Sequence, residues 1–473
     1  MTSFFSFIFP KDKVLFKYIF SLALPVIISN LSRVLMGIVD MAMVGSLGAS
    51  ALAAVGMAGM VTWTPMSIGI ALRTGTQTVV SRRLGEKKYD KCGVALRNMQ
   101  CFALIIGIPI TALCYMYTDQ IISFFIKDPE TLWQCIDYAM FNFLGLFFVF
   151  FCFVFQGFFT GIEKTKIHMK AVLSSNILNI YLNVGLIFGT QAIVDKLEGT
   201  YFSIFSNLWS FYDFPALGVK GAAIGTFIAI IWQFVHYFLY LFTPSIIKKY
   251  QILKTNIDLT MLKRQLTIAY PIALQETLVM SSFTFFYKIL GIIGVVELAA
   301  TQIIFRIMHA SFMPAVGVGQ ACATLVGKFL GEKNPDRAEL AIKESLRGSI
   351  YIMGSVGLCF AIFATYIISP FTNDTEILKF AIPGLRFVGL LQFLDAVCFT
   401  LWFALTGAGD TKIPALVDIL THWLFFIPAC YLFGITLNFG FWGPWISFGL
   451  HLVFFAVFIT WRFQKGYWKK IKV

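Results

Sequence analysis

Asp40 is a lone acid in an apolar run, Gly37-Ile38-Val39-Asp40-Met41-Ala42-Met43-Val44-Gly45, and it follows Arg33 by seven residues. Seven residues are nearly two helical turns, so on a helix the two charges share a face about 10 Å apart. A carboxyl stripped of water can load and release a proton in the physiological range. The plain alternative is a permanently ionised partner of Arg33 that only positions its helix. Two further acids stand in apolar runs: Glu276, five residues after Pro271, and Asp395 in Gln392-Phe393-Leu394-Asp395-Ala396. Lys288, Arg306 and Arg386 are their available partners, and Asp418 reads as interfacial. Asn176, Asn179 and Asn183, spaced three and four apart, form one helical stripe. Such amides can bridge helices or hold the proton network of Asp40 or an ion. His236, His309, His422 and His451 read as interhelical donors, with His309, one turn from Arg306, the least plain of them.

Other chemistry is missing. No P-loop, catalytic triad or metal cluster occurs, and Gly317-Val318-Gly319 and Gly354xxGly357 are helix-packing features. Nine cysteines are scattered singly without a CxxC, so neither a zinc site nor a disulfide framework is expected. The expectation is no enzyme and no cofactor, with energy drawn from an ion gradient.

Acids of this kind need helices in a membrane to hold them, and the composition supplies these. The 473 residues are 58% hydrophobic, 17% aromatic and only 13% charged, against roughly a quarter charged in soluble domains. A crossing needs about 20 apolar residues. That rule gives twelve spans near 14–44, 51–80, 93–118, 132–160, 167–193, 216–242, 262–293, 297–327, 341–368, 377–406, 413–436 and 441–463. The net charge of +13 sits between spans rather than in a nucleic-acid-binding stripe. Of the basic residues outside spans, 28 fall on the side of the termini and only Lys127, Lys196, Lys220 and Lys379 on the other. By the positive-inside rule both termini are cytoplasmic. The apolar FFSFIF near Met1 lacks a small-residue cleavage site and reads as no cleaved signal peptide.

A shift of 246 residues superposes the chain on itself. Pro25 meets Pro271, Gly45 meets Gly291, Leu52-Ala53-Ala54 meets Leu298-Ala299-Ala300, and Leu84-Gly85-Glu86-Lys87 meets Leu330-Gly331-Glu332-Lys333. Thr160-Gly161 and Thr165-Lys166-Ile167 meet Thr406-Gly407 and Thr411-Lys412-Ile413. The repeat unit is six spans, so both copies have the same orientation. Residues 1–242 form one bundle, 243–261 a cytoplasmic linker, and 262–473 a second bundle. An insertion at 191–215, with the aromatic stretch YFSIFSNLWSFY, reads as a loop on the outer membrane surface. The fold class is therefore all-α, with twelve transmembrane helices in two pseudo-symmetric six-helix bundles. A substrate cleft between the bundles is expected, opened to each side in turn by rocking.

The run from Leu24-Pro25 through Val39-Asp40-Met41-Ala42-Met43-Val44-Gly45-Ser46-Leu47-Gly48, then Ala51-Leu52-Ala53-Ala54-Val55-Gly56, resembles the opening of multidrug and toxic compound extrusion (MATE) exporters. The two LGEK loops and Thr406-Gly407-Ala408-Gly409-Asp410-Thr411-Lys412 share the likeness, which covers about Lys17 to Arg462. The resemblance implies a bacterial inner-membrane antiporter, working as a monomer, that expels organic, often cationic compounds in exchange for H+ or Na+. By the same likeness Asp40 is the first-helix acid, Pro25 the bend of that helix, Asn179 a polar residue of the same site, and Asp395 the second-half acid. Asn183 stands where some relatives have Asp, and Val279 where the sodium-linked subgroup has its glutamate, so Glu276 is out of register. Met36, Met60, Trp63 and Phe153 are candidate cleft residues. A lipid or oligosaccharide-lipid flippase of the same broad superfamily is the alternative; twelve spans and the acidic pair Asp40 and Asp395 weigh against it.

Overall fold

The computed structural model describes residues 10–198, 203–254 and 256–473. The FFSFIF stretch before Pro10 lies outside the described residues, as do positions 199–202 of the insertion. Twelve helices are long and apolar enough to cross a membrane. They are α1 (Lys13–Gly45), α2 (Ala49–Gly85), α3 (Tyr89–Met116), α4 (Pro129–Gly161), α5 (Thr165–Phe188) and α6 (Val219–Leu241), then α7 (Leu259–Ile293), α8 (Val295–Gly331), α9 (Pro335–Ile368), α10 (Thr375–Ala408), α11 (Lys412–Thr436) and α12 (Trp442–Gln464). Each falls on one expected span within a few residues, except at α2, α3, α5, α8 and α9, which differ by four to six residues at one end.

Local chemistry sets the ends. Side chains of Asp12, Asp128, Asp258, Asn334 and Asp374 cap α1, α4, α7, α9 and α10 by accepting first-turn N–H groups. Pro25 and Pro271 are carried inside α1 and α7. Around Pro428, α11 loosens into two π-helical stretches, Thr421–Phe426 and Leu432–Thr436, as a ring lacking an N–H requires.

The repeat extends to the backbone. Left-handed residues recur: Lys87 with Lys333 (φ 59° and 58°) and Glu163 with Gly409 (63° and 92°) at the 246-residue shift, and Gly218 with Gly440 (57° and 55°) at a shift of 222, after the insertion. Packing recurs too. In the first half α2 lies on α4, α4 on α6, α6 on α5 and α5 on α1; in the second α8 lies on α10, α10 on α12, α12 on α11 and α11 on α7. The halves meet through α1 against α8, α2 against α7, and α2 against α8.

That last crossing is reciprocal. A Cβ on Gly85 would stand 1.9 Å from the Lys328 carbonyl, and one on Gly331 would stand 2.3 Å from the Arg82 carbonyl. Behind the crossing, Gln77 of α2 donates to the Gln320 carbonyl (2.8 Å) and to Thr324 Oγ1 (2.9 Å), and Thr78 to the Thr406 carbonyl (3.0 Å). All of these lie toward the basic end, where the start of α1, the segment after α12 and both LGEK loops are. Burial along α2 follows the same divide: it is nearly unbroken from Ser67 to Gly85, whereas Gly59, Met60, Trp63 and Thr64 are exposed. The two halves are joined tightly at one end.

The insertion stands at the other end. A helix at Thr190–Leu197 and turns at Ser203–Ser206 and Asn207–Ser210 fold back on α5. Trp209 donates to the Tyr181 carbonyl (2.9 Å) and stacks on its ring.

Within the second half, a Cβ on Gly407 would meet the Ala323 carbonyl at 2.4 Å. Helix propensity alone favours alanine over glycine by about 1 kcal/mol, but overpacking costs about 1–3 kcal/mol. Gly407→Ala is therefore expected to lower the melting temperature of the detergent-purified protein. A rise would show that α8 and α10 do not touch there.

Candidate cation-binding sites in the two halves

Asp40 lies on α1 near the end away from the basic loops and is half-buried. Asn183 of α5 donates its Nδ2 to Asp40 Oδ1 at 2.8 Å. One turn earlier, Asn179 donates to Asn183 Oδ1 (3.2 Å) and to Thr226 Oγ1 of α6 (3.4 Å). Buried Tyr138 of α4 is within electrostatic range of the carboxylate. Gly225 makes the arrangement fit, since a Cβ there would lie 2.1 Å from Asn183 Oδ1. Four helices thus converge on one carboxylate. Asn176, third in the stripe, points elsewhere and donates to Ser32 Oγ at 2.6 Å. Among the described residues Asp40 makes no ion pair, so the pairing with Arg33 does not form.

The second half is built differently. Asp395 is 3% exposed, and its Oδ2 has no hydrogen-bond partner. Lys288, Arg306 and Arg386 are all exposed and pair with neither acid. Helical rise explains this: nine residues separate Arg386 from Asp395, about 13 Å along the axis. Glu276 makes no ion pair among the described residues; Arg73 of α2, a buried arginine of the other half, lies within electrostatic range of it.

Asp418 is buried, not interfacial. Its Oδ2 accepts from Gln275 Nε2 of α7 (2.6 Å), and its Oδ1 lies 3.3 Å from His422 Nδ1 and 3.9 Å from His451 Nε2 of α12. The two imidazole rings are 4.0 Å apart. Ligand atoms of Asp418, His422 and His451 lie within 4.8 Å of one another, a spacing that could hold a metal ion. As it stands the cluster is a hydrogen-bonded network, because His422 Nδ1 is also 2.9 Å from the Asp418 carbonyl. Sequence reading treated these histidines singly; the i,i+4 spacing of Asp418 and His422 was the available signal. His309, by contrast, is exposed, and His236 shares a 2.9 Å hydrogen bond with Ser174.

The cleft candidates divide. Met60 and Trp63 are 73% and 39% exposed. Met36 is buried in packing, and Phe153 lies over Gly69, where a Cβ would be 2.2 Å from its ring.

A twelve-helix membrane protein with a duplicated bundle and acids set within the spans of both halves has the architecture of a transporter. The family model described as MatE matches residues 25–184 and 271–432, once in each half. The chain belongs to this family, the MATE transporters, and is not an enzyme. Among curated relatives, it is 25% identical over 466 residues to "Probable multidrug resistance protein NorM" of Thermotoga maritima, covering 98% of this chain and 95% of that one. It is 26% identical to the protein of the same name from Photorhabdus laumondii, over 89% and 88% of the two chains. Among solved structures it resembles an outward-facing conformation of a multidrug resistance MATE family transporter of the MOP superfamily (TM-score 0.85, 21% identity, 97% of both chains). It also resembles a MOP superfamily transporter from Pyrococcus furiosus described by the reverse polarity of its binding pocket (TM-score 0.82, 20% identity, 97% of both chains).

Removing the Asp418 carboxylate would leave the buried Gln275 Nε2 without its acceptor, at about 1–3 kcal/mol for a stranded buried group, and would take away the carboxylate beside His422 and His451. Asp418→Leu is expected to melt several degrees lower than wild type, and Asp418→Asn, which keeps an acceptor oxygen, less so. Equal melting temperatures for Asp418→Leu and wild type would show that the cluster does not tie α7, α11 and α12 together.

Proposed function

We propose that this protein is a secondary active antiporter of the bacterial inner membrane that exports organic, often cationic compounds in exchange for H+ or Na+. Both termini are cytoplasmic in this reading, so the closed basic end faces the cytoplasm and the conformation is open outward. The chain works as a monomer. The observation that carries the reading is the setting of Asp40. Its carboxylate is half-buried and held by a neutral amide at 2.8 Å, with no cationic side chain bound to it. An acid paired to arginine is already neutralised; one held by an amide can take a proton or a metal cation and give it back.

Position gives that exchange a consequence. Helix α1 packs on α5 in its own half and on α8 in the other, and Asp40 bonds to α5. Neutralising the carboxylate weakens the Asn183 contact, because hydrogen bonds to charged groups are worth about 1.5–3 kcal/mol against about 1 for neutral ones. Helix α1 is then freer to bend at Pro25. Exposed Met60 and Trp63 offer an organic cation a polarisable surface. The names of the NorM relatives support a multidrug substrate range. Asp395 remains the candidate for a second cation.

Asp40→Asn should reduce ethidium efflux from cells at least 100-fold while leaving membrane expression and melting behaviour near wild type. Normal efflux in this variant would remove Asp40 from the mechanism. In everted vesicles, pH and Na+ gradients imposed separately identify the ion. Sodium dependence that survives Asp40→Asn but not Asp395→Asn would move the site to the second half.

A further inference from the structure

The basic end contains two latches that should be copies of one another and are not. Lys328, in the last turn of α8, reaches into the first half, where its Nζ lies 2.9 and 3.0 Å from the two carboxylate oxygens of Glu163 and 3.5 Å from Tyr18 Oη. Glu163 occupies the left-handed turn after α4 (φ 63°). The 246-residue shift carries Lys328 onto Arg82 and Glu163 onto Gly409. Arg82 is a cation in the same place on α2, but Gly409, in the equivalent left-handed turn (φ 92°), has no carboxylate to offer.

The segment after α12 fills the gap. It turns at Gly466 (φ 69°) and buries Trp468 completely, with the indole donating to the Phe463 carbonyl (3.0 Å). Lys469 pairs with Glu339 of α9. Ile471 and Val473 then lie over Gly409, where a Cβ would stand 2.5 Å from Val473 Cγ2 and 3.4 Å from Ile471 Cγ2. Arg82 donates to the Ile471 carbonyl, and Arg83 Nη2 to the Val473 carbonyl at 2.8 Å. The Val473 side chain belongs to the buried core of the first half, with Val80, Cys92, Phe159 and Ile162. A segment of the second half thus reaches into the first, and its main-chain oxygens take the place of the acid that position 409 lacks.

We propose that residues 467–473 are positioning residues of the transport cycle, forming the second latch of the basic-end gate. One latch is ionic, Lys328 to Glu163. The other is made of main-chain carbonyls held by Arg82 and Arg83 and anchored by apolar burial. Both must release before the halves can part at that end, and Gly409 is glycine because the segment lies where a side chain would be. The proposal rests on the alternating-access reading, but its test does not use transport.

Spin labels on Lys87→Cys and Lys333→Cys, both exposed loop positions, in a background without native cysteines report the separation of the basic ends in the full-length purified protein. Wild type should give one short distance. Deleting 467–473 should raise a longer-distance population about tenfold, and so should Glu163→Gln. Adding Gly409→Glu to the deletion puts a carboxylate where Arg82 can reach it, and should restore the short distance. Gly409→Ala in the full-length chain displaces Val473 while keeping Trp468, so it decides the matter if the deletion fails to fold. Wild-type distances in both the deletion and Gly409→Ala would overturn the proposal, as would a longer distance that Gly409→Glu does not reverse. A chain that exports nothing but shows these distance changes would sink the antiport reading and leave the latch standing.

Discussion

A polar group inside hydrocarbon has only the protein to bond to, because lipid offers nothing in return. The arrangement of this molecule follows from how it meets that constraint at each buried acid. Asp418 is fully enclosed, with an amide and two imidazoles around its oxygens. Asp40 has one amide and a partly open setting. Asp395 is buried with one oxygen unbonded. These are three different degrees of satisfaction, and they suit three different roles. The enclosed acid ties helices together; in the proposed antiport the partly held acid exchanges its cation, and the unbonded one is the candidate for a second cation. A structural carboxylate and a working one are told apart by their partners, not by their depth.

Duplication supplied the scaffold, and divergence supplied the function. The two halves share left-handed turns, crossing glycines and packing order to within a few residues, so the backbone has been preserved almost position by position. What differs is the chemistry laid on it. Glu163 has become Gly409, the amide cluster around Asp40 has no second-half copy, and Asp418 and its histidines have no first-half copy. Two identical halves would bind the same ion twice and release both latches together. Unequal halves can separate ion exchange from helix anchoring, which a coupled cycle needs if binding on one side is to alter closure on the other.

The spans and the repeat were legible because both are local signals: apolar runs of fixed length, and small residues recurring at a constant offset. The Asp40 site was legible in part. Asn179 and Asn183 were found by stripe, but Gly225 and Tyr138 were not, since their role exists only once α4 and α6 are packed beside α5. Asp418 was misplaced because nearness to the start of a span was taken for nearness to water; α7 and α12 cover it, and nothing along α11 itself says so. The cations of its own half do not pair with Glu276, and the one within electrostatic range, Arg73, comes from the other half. The Lys11 main-chain N–H bonded to Glu344 of α9 (3.0 Å) is a similar contact invisible along the chain. Partners across a helix interface are chosen by packing, and a single sequence records the packing only indirectly.

These features place α1 at the junction of the cycle. It is the helix that carries the exchangeable acid, bonds through that acid to α5, and lies along α8 of the opposite half, where a Cβ on Gly317 would stand 2.4 Å from the Ile27 side chain. So close a seam does not stretch; it either keeps its register or slides as a unit. In the antiport reading a change in the charge of Asp40 has two outlets, a shift of α1 against α5 or a bend at Pro25 that keeps the part of the α8 seam nearer the basic end, at Leu15, Ile19 and Leu22, in place. The bend disturbs fewer contacts, because proline has already removed one hydrogen bond from the helix at that point. Pro25 lies between Asp40 and the closed end, so in the proposed antiport cycle the exchange of one cation at Asp40 would be felt at the gate.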